Sequence, residues 1–175
     1  MSVHDSQEVL RNAMLQAMRR LAKSVSVITC FHNGQRYAMS ASAVDSLSAD
    51  PPSLLICINR SSSMHAPLSG GADFCVNILA ANQQDIALAC AGRLKGEERF
   101  TAGSWNANAD GIPYLADAQA SVICRQDGHF EYGTHTVFIG RIEEIFVGDT
   151  VSPLVYVDGA YTTSTPLPPE LAVCA

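Results

Sequence analysis

Between Met39 and Val44 the chain carries four small residues, Ser40, Ala41, Ser42 and Ala43, and Ser46 follows two positions later. Small side chains let main-chain N–H and C=O groups approach a flat ligand closely, and serine hydroxyls add donors for a phosphate or a ring carbonyl. The same residues would equally serve a tight strand crossing, with the hydroxyls bonded to backbone. A second candidate stretch is "INRSSSMH", residues 58–65. It follows an apolar run and precedes a short helix. The amide Asn59, the cation Arg60, the hydroxyls of Ser61 and Ser63 and the free N–H groups of a helix start would suit an anion. A serine-rich turn with an N-cap has the same composition. His65 lies close behind it.

His135 sits at the head of "GTHTVFIGRIEEI", where a glycine-led turn meets a buried extended run. It is either an ordinary strand-end histidine or a group reaching into a pocket. His4, His32 and His129 read as surface or turn residues. The mixed charges of "RLKGEERF", with Arg99 and Phe100 at its end, form either a solvated face or the border of a ligand's phosphate. Signatures of other chemistries are missing. There is no GxGxxG, no GxxxxGK[ST], no GxSxG and no HExxH. The six cysteines, at 30, 57, 75, 90, 124 and 174, form no CxxC pair. Their apolar neighbours mark them as small buried side chains, which argues against disulfides, zinc or any other metal site.

These residues need walls to hold them. The 175 residues suffice for one domain with a real core, and 47% hydrophobic against 16% charged residues argues against disorder. A net charge of −6 with no basic run argues against a nucleic-acid partner. No signal-like apolar segment opens the chain and no run approaches a membrane span, so a cytoplasmic protein is expected. Residues 6–22 predict a helix, with Leu10, Ala13, Met14, Ala17, Met18 and Leu21 on one stripe. That stripe calls for a barrel end or a partner subunit to cover it. Strands follow at 24–31, 36–47, 53–59 and 73–79, with "HNGQ" as a hairpin turn and "ADPPS" as a break. A second helix is predicted over 82–91, and a loop with helical pieces over 92–113. A strand with a turn at Asp127–Gly128, the long 131–145 run and a final hairpin complete the pattern. Helices interrupt the strands too rarely for βαβ units. The expected fold is therefore mainly β: an antiparallel barrel over about 24–163 with peripheral helices and a tail over 164–175, as one domain.

Taken together, "AMSASAVDSLSADPPSLLICINRSSSMHAPL", "FCVNIL", "GEERF", "GTHTVFIGRIEEI" and "PLVYVDGAY", in that order, resemble the flavin reductase domain of short-chain NAD(P)H:flavin oxidoreductases. These are the reductase components of two-component flavin-dependent monooxygenases. The resemblance covers residues 14–163. It implies an FMN-binding split β-barrel with Greek-key strands, usually homodimeric, that takes FMN or FAD and a nicotinamide donor, NADH or NADPH, and serves a monooxygenase component. It assigns the flavin to Met39–Val44 and Ser46, to Asn59–Ser61, Ser63 and His65, and to Arg99 and Phe100. It assigns the nicotinamide to His135 and Tyr161. Many relatives carry an acidic residue before that histidine, where this chain has Thr134. A non-catalytic flavin- or haem-binding barrel, and a barrel oxidase acting on a pyridoxine phosphate, are the alternatives.

Overall fold

The computed structural model describes residues 3–168. Helix α1 spans Val3–Met18, so the predicted helix begins and ends a turn earlier than its stripe suggested. A two-residue strand β1 (Lys23–Ser24) precedes β2 (Ser26–His32) and β3 (Gln35–Ala41). Asn33 and Gly34, both at positive φ, close the β2–β3 hairpin as the "HNGQ" signal requires. The run predicted as one strand over 36–47 is two: β4 (Val44–Ala49) starts anew after Ser42 and Ala43. Asp50 and Pro51 separate β4 from β5 (Pro52–Asn59), whose first residue pairs with Ala49, so the predicted break is shorter than its two prolines suggested. Strand β5 precedes the short helix α2 (His65–Ser69) and β6 (Phe74–Ile78).

The predicted second helix is a graded structure. A 3-10 turn (Ala81–Gln83) leads into α3 (Gln84–Leu88) and then into a wider π turn (Ala89–Arg93), which Gly92 ends at φ 113°. A 3-10 turn (Gly96–Phe100) and the small strands β7 (Trp105–Ala107) and β8 (Pro113–Leu115) occupy the expected loop. Strand β9 (Ala120–Tyr132) runs unbroken through Asp127 and Gly128, correcting the turn predicted there. Gly128 pairs with Ile139 and Gln126 with Gly140, so Asp127 is the extra residue of a β-bulge. The true turn is Gly133–Thr134, ahead of β10 (His135–Val147). Strands β11 (Leu154–Val157) and β12 (Ala160–Thr163) form the final hairpin around Asp158 and Gly159. Part of the predicted tail, with Cys174, lies outside the described residues.

Seven strands make one antiparallel sheet in the order β3-β2-β6-β9-β10-β5-β4. Its two edge strands, β3 and β4, are joined only by Ser42 and Ala43. Side chains from all seven strands, both edges included, meet in one interior cluster, so the sheet is strongly curled, and because its two edges share no ladder a seam is left between them. Ile28, Ile56, Ile58, Phe74, Val76 and Phe138 fill the interior, and Met64 and Leu68 from the α2 region join the same cluster. The outer face of β2 and β3 is also covered. Val27 and Ala38 pack there against Leu79, Ile86, Cys90, Phe100 and Leu115 from the 79–118 excursion. Burial on both faces explains the unbroken apolar reading of β2.

Asn77 pins this excursion to the barrel. It is fully buried; its amide donates to the Val27 carbonyl at 2.9 Å and to Thr29 Oγ1 at 3.2 Å. Its carbonyl accepts from the Leu115 N–H at 2.7 Å and from Ser121 Oγ at 2.9 Å. Helix α1, by contrast, keeps its large apolar side chains in solvent. Val9, Leu10, Met14, Leu15 and Met18 are all exposed. The turn that follows it is tied down: Arg19 donates to the Asp158 carboxylate at 3.0 Å and to its carbonyl at 2.9 Å, and the Asp158 N–H returns to the Arg19 carbonyl.

Candidate active site

The seam is the feature on which the small-residue segment converges. Alternation along β3 turns Met39 and Ala41 toward the barrel core and Ser40 outward. The Ser40 hydroxyl donates to the Ala87 carbonyl, so this serine does the structural work that the sequence had left as one of two readings. Beyond the break, Val44 points inward again. Ser42 lies at the junction. It lines a surface groove of about 230 Å³ with Val25, Ser40, Ala41, Tyr156 and Tyr161, and also an apolar cavity of about 330 Å³ with Val44, Ser46 and Leu54. Ala43 is exposed, and its carbonyl accepts the Cys57 N–H at 2.9 Å. Neither β3 nor β4 has a second strand partner, so each keeps one edge without a ladder, and on β3 the Arg99 guanidinium takes the Ala38 carbonyl.

The serine turn is built around Asn59. Its side-chain oxygen accepts from the Ser61 N–H at 2.9 Å and from Ser61 Oγ at 2.8 Å. The Ser62 N–H bonds to the Asn59 carbonyl and the His65 N–H to the Ser62 carbonyl. The helix behind it has only five residues and no side-chain cap. The expected anion cradle at a helix start is thus replaced by a self-bonded turn. Ser62, which sequence reasoning passed over, has a buried Oγ with no partner, and only its place among three serines pointed to it. Ser63 is exposed and borders a cavity of about 320 Å³ with Arg36, Ala38, Gly96, Glu97 and Arg99. Arg99 is held through Nε by the Leu94 carbonyl and through Nη1 by the Ala38 carbonyl. Phe100 is buried, edge-on to Trp105 at 5.1 Å and beneath the Arg36 guanidinium at 4.3 Å. The structure therefore makes Phe100 a core residue, because its ring completes the cluster under the excursion. Arg36 also pairs with Glu97 and holds that carboxyl below the usual carboxylate range.

His135 is exposed at the tip of the β9–β10 hairpin. It pairs in register with Asn59 on one side and Tyr132 on the other. Its Nδ1 lies 2.9 Å from Thr134 Oγ1. Arg60 braces this corner: its N–H bonds to the Thr134 carbonyl, and its guanidinium lies 3.1 Å from Glu131. His65 is turned the other way, with Nε2 2.9 Å from Thr136 Oγ1 and its ring edge-on to Phe138. It locks α2 to β10. Tyr161 faces the seam groove and stacks edge-on with Tyr156 at 5.2 Å. Burial, then its neighbour Tyr156, raises its phenol pKa. Tyr156 was not among the predicted site residues; its place opposite Tyr161 in "PLVYVDGAY" was the available signal. Ala43, Cys57 and Val137 lie side by side across three strands, and Asn59 and His135 come one outward-facing position further along.

The flavin reductase like domain model matches residues 18–165. The chain belongs to this family. It is 40% identical over 151 residues to the reductase component of an FADH(2)-dependent resorcinol hydroxylase from Rhizobium sp. (strain MTP-10005), covering 85% of this chain and 84% of that protein. It is also 40% identical over 151 residues to an FMN reductase (NADH), RutF 1, of Methylorubrum extorquens, covering 86% and 75% of the two chains. A solved flavin reductase domain protein from Arthrobacter sp. FB24 superposes with a TM-score of 0.85 at 28% identity, covering 92% and 99%. The flavin reductase component BorF of a bacterial two-component tryptophan halogenase gives a TM-score of 0.80 at 29% identity, covering 87% and 97%.

For a flavin reductase like chain, the residues at the seam fit the group the family implies. A tricyclic ring has one apolar edge and one edge rich in carbonyls and N–H. The seam offers aliphatic walls from Val44 and Leu54 together with strand edges that share no ladder and the Ser42 hydroxyl. Competing chemistry is weak. Burial pushes the Cys30 and Cys124 thiols up to about 12 and Cys90 to about 11, so these cysteines stay protonated at neutral pH. Among the described residues no three His, Cys, Asp or Glu side chains converge as metal ligands.

Proposed function

We propose that this single-domain chain reduces FMN or FAD with NADH and releases the reduced flavin to a separate oxygenase component. The open seam carries this reading: two strand edges that share no ladder, beside Ser42 and Ala43, in a chain of the flavin reductase like family. The named functions of the relatives, an NADH-dependent FMN reductase and a hydroxylase reductase component, support it. When bound, the flavin supplies the hydride-accepting centre. What the protein's own residues must do is stack two flat rings and orient them. Main-chain N–H groups around Ser42 and Ala43 hold the polar edge of the ring and stabilise the charge that develops there. Tyr156 and Tyr161 wall the groove. Ser63 borders the phosphate side, and the Nη2 of Arg99, left over after its two carbonyl bonds, completes that border. His135 stands on the donor's side and positions the nicotinamide. No acid or base is required, which accounts for a site of Ser, Ala and Asn.

The working form we propose is a cytoplasmic homodimer. Support comes from the uncovered stripe of α1 and from the outward row of Cys57, Val137 and Phe130, apolar on a face that an isolated antiparallel sheet would keep polar. No helix among the described residues is long and apolar enough to cross a membrane. The deciding experiment mixes the protein with NADH and excess FMN or FAD and follows the nicotinamide absorbance. Continuous NADH loss that scales with added flavin is expected; a single stoichiometric bleaching, or none, would overturn the proposal.

A further inference from the structure

The cavity beside the serine turn holds two cations and one anion. Arg36, Arg99 and Glu97 line it with Ala38 and Ser63, and Glu97 is the one carboxylate among its lining residues. The two arginines are held differently. Arg99 is half-buried and fixed by the Leu94 and Ala38 carbonyls, and among the described residues no carboxylate pairs with it. A fixed guanidinium without a counter-charge suits an anion. Arg36, over the Phe100 ring, is already taken. Its Nε lies 3.2 and 3.3 Å from the two Glu97 carboxylate oxygens, and its Nη2 donates to one of them. The Glu97 side chain is itself 63% exposed, so it is free to swing away into solvent.

Strand β3 joins this cavity to the seam. Gln35, Arg36, Tyr37 and Ala38 border the cavity; Ser40 and Ala41, with Ser42 just beyond the strand, border the seam groove. Ala38 and Ser42 are four positions apart, about 13 Å along an extended chain. A ribityl chain running along β3 from a ring at Ser42 can bridge that span and bring its phosphate to Ser63, Arg99 and Arg36. Glu97 already makes the two-pronged contact with Arg36 that a phosphate would make. We propose that Glu97 is a built-in competitor of the flavin phosphate: it holds Arg36 while the cavity is empty, yields it when a phosphorylated flavin binds, and reclaims it as the flavin leaves. The inference rests on the flavin ring lying at the seam. Affinity falls by the fraction of molecules in which Arg36 is free, and for an exposed ion pair that is a factor of up to about five.

The test titrates FMN and riboflavin by fluorescence into the full-length protein, into Glu97→Gln and into Glu97→Gln/Arg36→Gln. Riboflavin carries the same ring and ribityl chain without the phosphate, so it reports on the seam alone. Circular dichroism melting is the fold control. Glu97→Gln is expected to lower the Kd for FMN about fivefold and to leave that for riboflavin unchanged within twofold. The double variant is expected to lose the gain, because the released guanidinium is what captures the phosphate. An FMN Kd in Glu97→Gln that falls less than twofold, or rises, would overturn the proposal. So would an equal gain for riboflavin, which would put the effect at the ring, and a gain that survives loss of Arg36. Riboflavin separates the two levels. If it binds the unaltered protein and Glu97→Gln leaves the FMN-to-riboflavin ratio as it was, the seam stands and only the role of Glu97 falls. If neither flavin binds, the seam reading falls and this inference with it.

Discussion

Ala43 is the residue at which the site can be blocked without harming the scaffold. Its side chain is exposed at the seam and only its carbonyl takes part in a ladder bond. Ser40, by contrast, is tied to Ala87, so enlarging it would disturb the excursion's packing. Ala43→Trp should weaken flavin binding at least tenfold, read by fluorescence titration. The melting free energy should move by less than about 1 kcal/mol, as for surface substitutions. Unchanged flavin affinity would remove the seam from the site. The run of small residues was legible as a place of close approach, by a flat ligand or by neighbouring backbone, and Ser40 took the second course. Their orientation was not legible. The break at 42–43 resets the two-residue alternation, and the partner that fixes Ser40 is 47 residues away. Phe100 shows the same limit. Its motif pointed to the ligand, while its burial depends on Trp105 and Arg36, which local sequence does not bring together.

At the scale of elements, the strands were visible in the sequence because apolar β-branched runs are long and sharply punctuated. The errors fell where one residue type carries two meanings. Asp127–Gly128 reads as a turn, yet the same glycine serves a bulge, and only pairing with Ile139 and Gly140 decides between them. The residues over 92–113 show no periodicity because their structure is imposed from the barrel side: Arg99 bonds the Ala38 carbonyl, Thr29 bonds the Pro113 carbonyl, and Asn77 holds the adjoining Leu115 N–H. Asn77→Ala would remove the partners that Asn77 gives to the Leu115 N–H and the Val27 carbonyl in a dry interior, while Ser121 Oγ keeps the Leu115 carbonyl. A loss of roughly 2–4 kcal/mol is expected, since each buried orphan costs about 1–3 kcal/mol and the neighbours relax in part. Chemical denaturation measures this directly; a change below about 1 kcal/mol would show that the excursion is held without Asn77.

For the molecule as a whole, α1 is the element that its own chain leaves unfinished. A helix of 16 residues is marginal in water without a packed face, yet here the face is apolar and bare. The Arg19–Asp158 clamp sets the position from which the helix departs from the barrel. A second copy of the chain is the occupant we expect. Leu10→Lys with Met14→Lys should convert the dimer to monomer in light scattering while the monomer keeps its β-rich circular dichroism. A dimer that persists would place the contact on the sheet face at Cys57, Val137 and Phe130 alone.

The unpaired seam also bears on how the protein parts with what it makes. A cylinder whose first and last staves are neighbours in the chain, yet share no ladder, keeps one row of main-chain groups in reserve. A guest that satisfies this row acts as a temporary stave, and water takes its place when the guest departs. Under the function proposed above, no wall would have to open and no helix to melt for the cargo to be handed on, and turnover and delivery would draw on the same slit.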